Sequence, residues 1–87
     1  MDYEQAVIAS KSVTEGHSQV VFAAHSKGGW QFYGGETSID AGVWVTTLKT
    51  IVSANSHVKD ILWIPEGMEA FFDPNRKTWR IQITESE

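Results

Sequence analysis

Two glycine pairs, Gly28-Gly29 and Gly34-Gly35, bracket the tetrapeptide Trp30-Gln31-Phe32-Tyr33. Glycine pairs mark turns or backbone approaches that a side chain would obstruct. Between them, period-two alternation sends Trp30 and Phe32 to one side of an extended strand, and Gln31 and Tyr33 to the other. The unit reads as a short strand entered and left through tight corners. Neither pair opens a helix, so neither builds a phosphate-cradling loop.

The rest of the chain is organised around this strand. Ala6-Val7-Ile8-Ala9 is a short apolar run suited to a strand, and residues 10–16 offer a serine cap and a glycine stop around one helical turn. Residues 19–25 are apolar on both faces in their first half, which predicts a strand central in a sheet that forms a hairpin with 30–33. After a polar loop over 34–42, Val43-Trp44-Val45 is strand-like. Leu48, Ile51 and Val52 then fall at helical spacing, predicting a helix over 47–55. Val58, Ile61 and Leu62 repeat the pattern in a second short helix, which Pro65-Glu66-Gly67 ends. A last hairpin pairs 68–72 with 78–83 across Asp73-Pro74-Asn75-Arg76-Lys77. In its second strand Trp79, Ile81 and Ile83 alternate as a dry face against Arg80, Gln82 and Thr84. Strands, then helices, then strands predict an α+β domain: a mostly antiparallel sheet of about five short strands, with two to three short helices on one face.

The 87 residues allow a single domain, 1–87, with 1–5 and 84–87 expected to fray. A chain of this size buries only roughly 60–65% of the surface its unfolded form exposes. Four tryptophans are therefore first a stability device, since each ring can bury about 150–250 Å². With no cysteine, disulfides, thiolate metal sites and cysteine nucleophiles are excluded. The start, Met1-Asp2-Tyr3-Glu4-Gln5, does not resemble a secretory leader, and no apolar run has the length of a membrane span. The expectation is a cytoplasmic protein that does not enter a membrane. A net charge of −4 argues against nucleic acid as a partner, because phosphate binding needs clustered positive charge.

No residue set announces catalysis. His17, His25 and His57 fall in three different predicted elements without metal-ligand spacing, and His25 and His57 read as ordinary solvent positions. No serine sits in a Gly-x-Ser-x-Gly elbow. The acidic pairs Glu66/Glu69 and Glu36/Asp40 lie in turns and loops where such residues belong. No catalytic residue, metal ligand or cofactor is expected. Among the aromatics, Trp30 and Trp79 read as core rings. Tyr33 and Trp63 are the candidates for a partner surface, with Glu36 and Asp40 of the 34–42 loop as its charged complement.

Three blocks, in order, carry a family resemblance. They are residues 9–16 (Ala-Ser-Lys-Ser-Val-Thr-Glu-Gly), residues 29–36 (Gly-Trp-Gln-Phe-Tyr-Gly-Gly-Glu) and residues 58–71, whose helix runs into the Pro65-Glu66-Gly67 turn and a strand. The chain resembles the bacterial domain of unknown function 2185 group, which is also described as immunity-protein 33-like. It departs at Lys27, where that group usually has an acidic residue, and in a thinner acidic stretch, Glu36-Thr37-Ser38-Ile39-Asp40. The resemblance implies no catalytic residues. It implies a small bacterial protein that binds and blocks a toxin delivered between cells. A non-enzymatic binding domain is the leading expectation, and the resemblance implies the immunity type. The alternative is a small-molecule sensor or carrier using an aromatic face. Oligomeric state and strand order are left open by the sequence.

Overall fold

The protein's structure, a computed structural model, describes residues 2–35 and 42–84. Six strands form one sheet: β1 (Ala6–Ser10), β2 (Val20–Ser26), β3 (Gly29–Gly34), β4 (Val43–Thr47), β5 (Met68–Asp73) and β6 (Thr78–Ile83). Among the described residues two α-helices, α1 (Lys11–Thr14) and α2 (Leu48–Ala54), and a 3-10 helix, Ser56–Ile61, accompany the sheet. The fold is α+β, with six strands where the sequence suggested about five. Strand order is β4-β1-β3-β2-β5-β6, and every neighbouring pair is antiparallel except β1 with β3. As its two apolar faces suggested, β2 is an interior strand.

Alternation decides which side of the sheet the helices cover. Val7 and Ala9 of β1, Trp30 and Phe32 of β3, Ala23 of β2 and Ala70 of β5 are all buried. Leu48, Ile51, Val58, Ile61 and Ile64 are buried with them in one core. Alanines on β1, β2 and β5 let the helical layer sit close, and the large rings Trp30 and Phe32 fill the middle. Trp79 and Ile81 of β6 pack against this core only partly, and Ile83 is 70% exposed. The expected dry face of β6 therefore fades along the strand, which lies at the sheet's edge.

Buried and half-buried polar bonds tie the helical layer to β2. β2 carries a bulge between Val20 and Phe22, which keeps Val20 fully buried while Phe22 turns to the other face. At that bulge the Val20 N–H donates to Asn55 Oδ1 (2.9 Å), and His57 Nε2 donates to the Val20 carbonyl (2.8 Å). His25 Nδ1 donates to the Ile64 carbonyl (2.8 Å), and its ring stacks on Trp30 at 4.2 Å. Both histidines, read from sequence as solvent positions, are thus half-buried clasps between sheet and helices.

Local chemistry sets the corners. Lys27 and Gly28 form a two-residue turn between the paired Ser26 and Gly29, and Gly29 takes φ +116°, which a residue with a Cβ rarely adopts. Open space surrounds the Cβ positions of both glycines, so neither marks a close approach, and of the two only Gly29 has a backbone that favours glycine. Ser10 takes the cap position of α1, yet its hydroxyl accepts from the Gly34 N–H instead (3.2 Å), tying β1 to the end of β3. Residues 2–5, expected to fray, have the Tyr3 and Gln5 carbonyls accepting from Lys49 and Leu48.

In the β5–β6 turn, Asp73 Oδ1 accepts from the Asn75 and Arg76 N–H groups, and Lys77 is held at φ +59°. A left-handed residue with a Cβ is strained by roughly 1–2 kcal/mol, partly offset by the chain entropy glycine loses on folding. Lys77→Gly is expected to raise stability by about 0.5–1 kcal/mol in urea titration. A loss instead would mean that the Lys77 side chain has a role in the turn.

Candidate functional site: the open face and free edge of the sheet

The face of the sheet opposite the helices carries two cross-strand rows. Register places Tyr33 opposite Phe22, Phe22 opposite Phe71, and Phe71 opposite Arg80, so one row crosses β3, β2, β5 and β6. The rings are in contact: Phe22 and Tyr33 lie 5.9 Å apart between centroids, and Phe22 and Phe71 4.9 Å. Arg80 closes the row, its guanidinium 5.3 Å from the Phe71 centroid. All three rings are half-buried, with no element among the described residues packed over them.

The neighbouring row is polar toward β6. Gln31 accepts from the Tyr33 hydroxyl (3.2 Å), while Glu69 accepts from Gln82 (2.9 Å) and from Thr84 (3.3 Å). Glu69 is thereby engaged within the face, and nothing pairs it with Glu66 for acid–base work. Toward β4 the face turns aliphatic, with Ile8 opposite both Gln31 and Val45. Tyr33 therefore belongs to an extended aromatic strip with an aliphatic flank, a polar flank and a cationic end.

Among the described residues no strand pairs with β4 on its outer side, so it is an edge of the sheet. Val43, Trp44 and Val45 are 54%, 49% and 73% exposed, and Lys11 reaches over the Trp44 ring at 5.9 Å. At the other end, Phe71, Phe72, Asp73, Pro74, Arg76 and Arg80 line an open groove of about 480 Å³ beside the hairpin turn.

The sequence-predicted site residues are not all brought together. Tyr33 is on the open face. Trp63 is 67% exposed but follows the 3-10 helix in the layer on the other side of the sheet, so the two do not share a surface. Glu36 and Asp40 lie outside the described residues. Sequence reading missed Phe22, and it counted Phe71 only among the surplus aromatics and Arg80 only as part of the C-terminal hairpin. The signal for Phe22 was present in the two-sided apolar pattern of β2, which implies a second apolar face.

No group of three or more His, Asp or Glu residues is placed to hold a metal among the described residues. No helix among them is long and apolar enough to cross a membrane. No family model, curated protein or solved structure matches the chain.

Proposed function

We propose that this chain is a non-enzymatic protein-binding domain, of the immunity type that occupies and neutralises a toxin, with the open sheet face as its binding surface. The observation that carries the reading is the Tyr33–Phe22–Phe71–Arg80 row. Aromatic rings and an arginine, clustered on a sheet face and bordered on one side by polar groups, have the composition of a protein-binding hot spot. The sequence resemblance and the acidic balance support it: Glu36 and Asp40 would steer a basic partner toward Tyr33, speeding encounter more than tightening the complex.

The test begins with co-expression beside a candidate toxin, which should restore growth, followed by binding kinetics of the purified pair. Tyr33→Ala is expected to raise the dissociation rate about tenfold. Its melting temperature should change little, because the ring is half-buried and its hydroxyl bonds only within the face. Unchanged kinetics for both Tyr33→Ala and Arg80→Ala would move the interface off this face.

A second reading, a small-molecule sensor or carrier, rests on the groove lined by Phe71, Phe72, Arg76 and Arg80, which suits a flat anionic ligand. Its openness along the hairpin leaves little of such a ligand buried, which favours the first reading. Failure to capture any protein, together with a rise in melting temperature on adding planar aromatic carboxylates, would reverse the order.

A further inference from the structure

We infer that β4 is a self-pairing edge and that the protein forms a two-fold symmetric dimer by joining two sheets through it. This goes beyond the binding role of the open face and does not depend on it.

The backbone specifies the kind of occupant. Two hydrogen bonds flank the β1–β4 ladder: Lys11 N–H to the Gly42 carbonyl at 3.4 Å, and Leu48 N–H to the Gln5 carbonyl at 3.0 Å. Both continue the register that sets Ala9 opposite Trp44 and Val7 opposite Thr46. Antiparallel ladders alternate hydrogen-bonded and non-bonded pairs. Trp44 and Thr46 therefore bond inward to β1, while Val43 and Val45 turn their N–H and C=O groups out from the edge. Such a row is a template along which another extended backbone can pair.

The side chains point to a second copy as that backbone. Val43-Trp44-Val45-Thr46-Thr47 contains no charge and no proline, the two devices that usually guard an edge. The other edge is guarded: β6 carries Arg80 and is preceded by Lys77. Antiparallel pairing with Val45 opposite its own copy sets Val43 opposite Thr47 and Trp44 opposite Thr46. Of the registers that pair the outward-turned residues, it alone keeps the full five-residue overlap. Every facing pair is then uncharged, and the exposed apolar side chains on both faces of β4 gain neighbours. The contact is isologous and closes on itself, and among the described residues it leaves the two guarded β6 strands as the edges of the joined sheet.

The experiment is sedimentation equilibrium across a concentration series, with two variants. Wild type should move from one to two chain masses as concentration rises. Val45→Lys, at a position 73% exposed, should keep its fold by circular dichroism and weaken association about tenfold or more, because it sets two like charges opposite each other. Val45→Cys, in a chain with no other cysteine, should form an intermolecular disulfide under mild oxidation, since directly opposed strand residues are about 5.5 Å apart between Cα atoms. A wild type that remains monomeric to millimolar concentration overturns the proposal. So does a dimer that survives Val45→Lys and yields no disulfide at position 45, which would place the contact on the open face or elsewhere.

Discussion

Trp30→Ala is expected to destabilise the protein by about 3–5 kcal/mol, the range for deleting a large buried ring. Trp30 is 3% exposed, its ring stacks on His25 at 4.2 Å and 8°, and it lies parallel to Phe32 at 5.6 Å. The cavity would open in the middle of the sheet, where Phe32 and the strand backbones cannot collapse into it. A domain of this size has roughly 5–15 kcal/mol in total, so the variant stands at the margin of folding. Urea titration measures the loss, and Trp30→Phe should recover a substantial part of it. A loss below about 1 kcal/mol would place the ring outside the core.

Asn55→Ala is expected to cost about 1–3 kcal/mol, the penalty for leaving a buried hydrogen-bonding group without a partner. Asn55 is 4% exposed and works in both directions: its Oδ1 accepts from Val20 N–H and its Nδ2 donates to the Ile51 carbonyl (3.1 Å). The substitution strips the bulge in β2 of its acceptor. Asn55→Asp separates the two bonds. An ionised aspartate keeps the acceptor but sets a buried negative charge against the Ile51 carbonyl, whereas the neutral acid can donate there. Both effects raise the folded-state pKa above the unfolded value. The stabilising contribution of the acid form is thus present at low pH and lost as pH rises. Relative to wild type at each pH, Asn55→Asp should be most destabilised near neutrality and recover as pH falls toward about 4. A pH-independent difference would mean that the side chain at 55 has relaxed into solvent.

The strands and α2 were legible because hydrophobic period is a local property. The Val43-Trp44-Val45 run and the Leu48/Ile51/Val52 spacing each report on their own neighbourhood; which of Thr46 and Thr47 caps the helix is settled by the Thr47 hydroxyl, which accepts from the Thr50 N–H. Strand order was not legible. The parallel pairing of β1 with β3 depends on contacts between segments far apart in the chain, to which local pattern is blind. The same limit hid the roles of His25 and His57, whose partners Ile64 and Val20 are distant in sequence. It also hid the aromatic row: Phe22 and Phe71 look like ordinary strand filling, and only the register shows them beside Tyr33 on one uncovered face. Tyr33 is legible because alternation sets it with Gln31 on the side opposite Trp30 and Phe32. Trp63 was chosen for its place beside Pro65, which fixed its exposure but not the side of the sheet it occupies.

The position of β1 has a consequence for the order of assembly. The β2–β3 and β5–β6 hairpins close over short turns, so they can form early at little loop-closure cost. β1 leaves the ribosome first, yet both of its neighbours, β3 and β4, follow much later in the chain. It must wait, unpaired and apolar, until the strands that flank it have been made. β4 in turn reaches the sheet only through β1, so the N-terminal strand acts as a late keystone whose insertion joins the last edge to the rest. The slow step of folding should then reside in the docking of Ala6–Ser10 between β3 and β4, the arrangement that carries the long-range contacts on which folding rates depend.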